Sequence, residues 1–132
     1  MRYTILLLMS LPALQATAQW EPIYEVATNN IYELYALDKS NIYLGAEQGD
    51  LYQSSNGGAD FSIKDLQEYG FVSSIAFEDD MTGYAGGGCY FPFDECPGNT
   101  FYKTADGGQS WNQLQGDLIF GIFTDIEPMG NG

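Results

Sequence analysis

Apolar and aromatic residues fall in short runs separated by Gly, Asn, Asp and Ser. IYELYALD (31–38) alternates in part between polar and apolar positions, and NIYLGAE (41–47) follows a Lys39-Ser40-Asn41 turn signal. DLYQSS (50–55) comes next, then, past Asn56-Gly57-Gly58, DFSIKDL (60–66). The second half runs the same way through FVSSIAFED (71–79), TGYAGGG (82–88), TFYKTA (100–105) and SWNQLQ (110–115). Aromatic and β-branched side chains suit a pleated, half-buried surface, so these runs predict strands joined by hairpins. No stretch carries an apolar period of 3.6, and no helix is predicted. The expectation is an all-β chain with two groups of four antiparallel strands.

The two groups are copies of one unit. Tyr43 matches Tyr84 and Gly45 matches Gly86, both 41 residues apart, and Ile31 with Val72 and Leu34 with Ile75 keep that spacing. Beyond Gly86 the spacing is 50: Leu51 matches Phe101, Tyr52 Tyr102, Gly58 Gly108 and Phe61 Trp111. One insertion of nine residues, around Cys89–Cys96, accounts for the change. The first unit spans about 31–66 and the second about 71–115, while LIFGIFTDIE (118–127) looks like the first strand of a third. A four-stranded unit of 40–50 residues has the period of a β-propeller blade.

The turns carry a more specific signal. Thr104-Ala105-Asp106-Gly107-Gly108-Gln109-Ser110-Trp111 fits the pattern S/T-x-D-x-G-x-S/T-W, and Ser54 to Phe61 is a degenerate copy with Asn56, Gly58, Asp60 and Phe61 at the matching places. This motif resembles the Asp-box, or BNR-like, repeat of sialidases, sortilin-type receptors, xyloglucanases and photosystem II stability and assembly factors. The repeat style is most similar to the last of these and to sortilin-like secreted repeat proteins. The resemblance covers roughly residues 20–127 and implies an incomplete β-propeller of about two blades, since closed propellers usually need at least four. Truncation is the favoured explanation, beside a split propeller or one closed by oligomerisation. Asp106 can accept hydrogen bonds from the backbone of its own turn, and the glycines permit left-handed dihedrals. Ser54, Asn56, Gly58, Phe61, Thr104, Asp106, Gly108, Ser110 and Trp111 are therefore expected as structural turn residues, and none as catalytic.

The N-terminus changes the compartment. Arg2, the apolar run Ile5 to Leu14 and the small-x-small Ala16-Thr17-Ala18 predict a signal peptide over residues 1–19 and a domain over 20–132. Ten apolar residues interrupted by Ser10 and Pro12 are too few to span a bilayer. The expected location is secreted, periplasmic or cell-surface, without membrane insertion after cleavage. Loss of the leader removes the only arginine and leaves Lys39, Lys64 and Lys103 against 18 carboxylates, a formal charge of 3 − 18 = −15. Three scattered lysines cannot neutralise a phosphate backbone, which excludes nucleic acid as a partner. Hydrophobic residues make up 45% of the chain and aromatics 15%, enough to argue for a packed core instead of disorder.

Chemistry is bounded mostly by what is missing. The chain has no histidine, which removes Ser/His and Cys/His nucleophilic arrangements. Sialidases hold a substrate carboxylate with an arginine cluster, for which the mature chain has no arginine. Glu78-Asp79-Asp80 and Asp94-Glu95 sit at expected turns and lack a recognisable calcium spacing, so no metal and no cofactor are expected. Cys89 and Cys96, in the loop GGGCYFPFDECPG of an exported chain, favour a local disulfide. Tyr90, Phe91 and Phe93 inside that loop are the candidate binding residues, against the alternative that they fold back to cover the unit's edge. The expected function is a non-enzymatic module for protein or glycan binding, with self-association through open strand edges as a further expectation. The alternative is a remnant of a carbohydrate-active propeller enzyme.

Overall fold

A computed structural model describes residues 29–66, 70–89, 101–114 and 122–129. The signal peptide, Tyr90, Phe91, Phe93, Cys96 and residues 118–121 of the third predicted strand lie outside these residues. Eight strands and no helix are present among them: β1 (Ile31–Ala36), β2 (Ile42–Ala46), β3 (Asp50–Ser54), β4 (Ser62–Asp65), β5 (Gly70–Phe77), β6 (Gly83–Cys89), β7 (Phe101–Thr104) and β8 (Asn112–Gln113). They form two four-stranded antiparallel sheets in chain order, β1-β2-β3-β4 (sheet A) and β5-β6-β7-β8 (sheet B). Neither sheet closes on itself.

The 41-residue spacing survives in the ladders. Tyr35 stands opposite Tyr43 in sheet A, and Ala76 stands opposite Tyr84 in sheet B. Even the irregularity repeats: the β1–β2 register slips between Ile31 and Glu33, and the β5–β6 register between Val72 and Ser74, the matching positions. A bulge twists a strand locally and re-aims the side chains beside it.

Alternation along the strands sets two faces on each sheet. Tyr35, Tyr43 and Gln53 lie on the front of sheet A, while Leu34, Leu44, Tyr52 and Ile63 lie on its back. The front packs on sheet B: Tyr43 and Leu51 share one buried cluster with Val72, Ile75, Phe77 and Ala85. Ile75, Ala85 and Tyr102 form the back of sheet B, and Ala76, Tyr84 and Lys103 its front. Matching residues therefore occupy opposite sides of the junction, Tyr43 within it and Tyr84 beyond it. The sheets stack front to back, like successive members of a series.

Two positions fix how closely they approach. A Cβ on Gly45 would lie 2.5 Å from the Val72 carbonyl oxygen, so the bare backbone of β2 is what admits β5. Around it Phe77 meets Tyr43 with ring centroids 4.6 Å apart, Tyr35 at 5.7 Å and Trp111 at 6.0 Å nearly edge-on. Offset and edge-to-face arrangements of this kind add to the burial of the rings.

Residues 122–129 make no strand ladder, whereas the sequence predicts a strand over 118–127. They pack on the front of sheet B, where Phe123 donates its N–H to the Gly87 carbonyl (2.9 Å) and accepts from the Ser73 hydroxyl (2.6 Å). A ladder needs a neighbouring strand with a free edge along its length, and this segment meets a sheet face.

Candidate functional site

The two turns that carry the repeat motif fold alike. In 104–111 the Thr104 hydroxyl accepts the N–H of Gly108 (2.8 Å) and of Asp106 (3.3 Å), and donates to Asp106 Oδ1 (2.8 Å). Asp106 Oδ1 also accepts the Ser110 N–H (2.8 Å), and Oδ2 accepts the Ser110 hydroxyl (2.6 Å). In 54–61 the Ser54 hydroxyl accepts Gly58 N–H (2.8 Å) and donates to Asn56 Oδ1 (2.9 Å), which accepts Asp60 N–H (3.1 Å). There the last bond is reversed: Asn56 Nδ2 donates to Asp60 Oδ2 (2.9 Å). Exchanging the carboxylate between the two positions keeps the bond, so the degenerate copy has the same network.

Four hydrogen-bond sources hold the Asp106 carboxylate, Ser110 foremost through its hydroxyl and N–H, and pull its pKa down to about 2. Such a group stays ionised and cannot serve as a general acid near neutrality. All nine predicted turn residues fall within these two networks or pack beside them, Phe61 against the Leu44, Ala46 and Tyr52 cluster and Trp111 against the inter-sheet core.

The turns expected at Lys39-Ser40-Asn41 and Glu78-Asp79-Asp80 are present, and each is capped by an aspartate whose role sequence reasoning missed. Asp38 Oδ1 accepts the N–H groups of Ser40 (2.6 Å) and Asn41 (2.8 Å), and Asp79 Oδ1 accepts those of Met81 (2.8 Å) and Thr82 (2.6 Å). Hydrogen bonds lower both carboxyl pKa values, led by the Asn41 side chain for Asp38 and the Thr82 N–H for Asp79. Asp38 and Asp79 are themselves 41 residues apart, which is the signal that identifies them. Each such turn supports the motif turn of its own sheet: Ser40 O accepts Gly57 N–H, and Met81 O accepts Gly107 N–H, both at 2.9 Å.

The same Gly107 joins the sheets. Its carbonyl accepts the Tyr43 hydroxyl (3.0 Å) and Gln53 Nε2 (2.9 Å) from the front of sheet A. Gly108, at φ +82°, lies so close that a Cβ there would stand 2.9 Å from the Tyr43 ring. Below this seam, Tyr102 donates its hydroxyl to the Leu66 carbonyl (2.8 Å).

Outside the seam is a cleft of about 470 Å³. Sheet A lines it with Asn41, Tyr43, Gln53, Ser55, Ser62 and Lys64, and the turns of sheet B with Asp80, Met81, Asp106, Gly107 and Gln109. Amides and hydroxyls predominate, with one cation facing two carboxylates, and Met81 stands half exposed at the rim. The volume is in the range of small-ligand clefts. Nothing in the sequence marked this place, since its lining comes from both units.

Of the other expected residues, Cys89 ends β6 and is disulfide-bonded, while its only possible partner in the sequence, Cys96, lies outside the described residues. Among the described residues no three His, Cys, Asp or Glu side chains gather as a metal site, and no helix is long and apolar enough to cross a membrane. The chain matches no protein-family model, no curated protein and no solved structure.

Proposed function

We propose that the chain is an exported, non-enzymatic binding module, built as two successive Asp-box blades of an incomplete β-propeller, that takes a glycan or a protein segment in the cleft between them. The observation that carries the reading is the front-to-back junction at Gly107: Tyr43 and Gln53 of one unit grip the motif turn of the next. Stacking of this kind turns one repeat into a series, which is how repeat arrays bury faces that a single unit leaves open. It also makes a cleft between units.

The lining favours a polar, hydroxylated ligand. Asn41, Gln53 and Gln109 offer amides, Ser55 and Ser62 offer hydroxyls, and Lys64 faces Asp80 and Asp106. Binding without turnover fits Asp106, whose oxygens are already committed within its turn.

The test is a titration of residues 20–132 with neutral oligosaccharides and with short peptides, followed by amide chemical shifts and by product analysis of the same mixtures. Shifts clustered on Gln53, Ser62, Lys64 and Gln109 with every ligand recovered intact are the expected result. Hydrolysis of a glycoside that is lost in Asp80→Asn or Asp106→Asn would establish an enzyme instead.

A further inference from the structure

The front of sheet B repeats the surface with which sheet A holds its neighbour. Tyr84 matches Tyr43, Gly86 matches Gly45 and Lys103 matches Gln53 in the repeat, and all three lie on that front. Part of the matching occupant is already in place. Val72 sits against Gly45; Phe123 sits against Gly86, where a Cβ would lie 3.0 Å from the Phe123 Cβ and 3.2 Å from Ile126 Cδ1. Phe123 also stacks on Phe101 at 5.0 Å. The segment 122–129 thus holds on sheet B the seat that the first strand of sheet B holds on sheet A.

On the rest of that seat the matching donors are engaged differently. On sheet A the Tyr43 hydroxyl and the Gln53 amide grip a carbonyl of the next turn. On sheet B the Tyr84 hydroxyl donates instead to Glu78 Oε1 (3.1 Å), and Lys103 Nζ lies 5.2 Å from the Tyr84 ring centroid. Lys103 can donate to a carbonyl as Gln53 does, and with a full charge, while the single Tyr84 proton would have to leave Glu78 to do what Tyr43 does.

We infer that the front of sheet B is the docking face for a third Asp-box unit, continuous in a longer polypeptide with 122–129 as its first strand, whose turn carbonyl is taken by Tyr84 and Lys103. The inference rests on the propeller-array reading above. A second copy of the chain fits less well, because its sheet A brings its own β1 to a seat that 122–129 fills.

The experiment continues the full chain after Met129 with the strands of its own first unit, residues 38–66, and in a second version with residues 79–114. Every lysine within the added segment is replaced by arginine, so that only Lys39, Lys64 and Lys103 of the original chain report. Each version is compared with the unextended chain by light scattering, thermal unfolding and acetylation of those three lysines read by mass spectrometry. The expected result is a monomer whose midpoint rises by about 5 °C or more. Lys103 acetylation should slow about tenfold, while Lys64 keeps its rate, as expected when only one site becomes covered. Lys103→Ala and Tyr84→Phe should remove most of the rise in the extended chains. No rise and no protection in either version overturns the inference. So does an unextended chain that is already oligomeric and becomes monomeric on Lys103→Ala, since a second copy then covers the face. The cleft titration uses the other junction and the unextended chain, so the two readings fail separately.

Discussion

The Tyr43 hydroxyl donates to the Gly107 carbonyl across 3.0 Å, joining residues 64 apart in the sequence and two different sheets. Burial raises the Tyr43 pKa, with the Asp38 charge adding to it, so the phenol keeps its proton and remains a donor through alkaline pH. Gln53 reaches the same oxygen at 2.9 Å. Either donor alone satisfies the carbonyl. Tyr43→Phe and Gln53→Ala should therefore each cost about 1 kcal/mol. The double variant should exceed their sum by roughly 0.5–1.5 kcal/mol, because only then is Gly107 left without a protein donor. Urea unfolding of the four proteins measures the coupling, and strict additivity would show that the two donors do not share one acceptor.

Gly45 tests the closeness of the sheets. An alanine there would put its Cβ 2.5 Å from the Val72 carbonyl oxygen and 2.9 Å from Val72 Cγ1. One of those neighbours is backbone and cannot turn aside, so β5 must move as a whole. The expected loss is about 1–3 kcal/mol, the range for forcing a methyl group into a packed interior. Gly58→Ala would also destabilise, but through its φ of +87°. The two are separated by the Trp111 environment: fluorescence should shift in Gly45→Ala, whose damage reaches the core beside Trp111, and not in Gly58→Ala.

The strand runs and the repeat were legible because both depend on local chemistry. Turn residues at 39–41 and 56–58 punctuate the chain wherever it reverses, and a second copy confirms each assignment. Strand ends were less legible: β8 holds only Asn112–Gln113 where SWNQLQ suggested more, because pairing partners decide how far a ladder runs. The cleft and the Tyr43–Gly107 seam could not be read at all. They arise from the stacking of one sheet on the next, which no local pattern encodes. Leu34 and Ile75 make the point, since they match in the repeat yet are 65% and 4% exposed. Ile75 faces the front of sheet A, whereas Leu34 lies on the back of sheet A.

Trp111 carries the one buried side-chain N or O atom without a hydrogen-bond partner among the described residues, its Nε1. Its counterpart Phe61 has no such donor. An unsatisfied buried donor costs about 1–3 kcal/mol, which offsets much of what the larger ring contributes by packing edge-on against Phe77. Trp111→Phe should thus be close to neutral, within about 1 kcal/mol, while Trp111→Ala should lose about 3 kcal/mol or more. Thermal unfolding of both variants decides it: a heavy loss in Trp111→Phe would mean that the indole nitrogen has a partner in solution.

Acid should act on the turns before the core. Asp106 is held near a pKa of about 2, and Asp38 and Asp79 are also lowered, all by hydrogen bonds to the ionised carboxylate. A carboxyl with a lower pKa in the folded chain stabilises it above the unfolded value of about 3.9, and that contribution disappears as pH falls through the folded pKa. Glu33 and Asp50 run the other way: burial raises both, with Asp125 adding to Glu33 and Asp65 to Asp50. Their charged forms are the disfavoured ones in the fold, so protonating them on mild acidification relieves a cost. It also reduces the self-repulsion of a chain with net charge −14. The unfolding midpoint should hold or rise from pH 7 toward 5, then fall from about pH 4 to 2. Asp106→Asn should flatten that acid limb and lower the neutral-pH midpoint, since the amide of Asn56 closes its turn on the Asp60 carboxylate, whereas position 110 offers only the Ser110 hydroxyl. Midpoints of the parent and the variant across pH 7 to 2 give the comparison, and parallel acid limbs would remove Asp106 from the explanation.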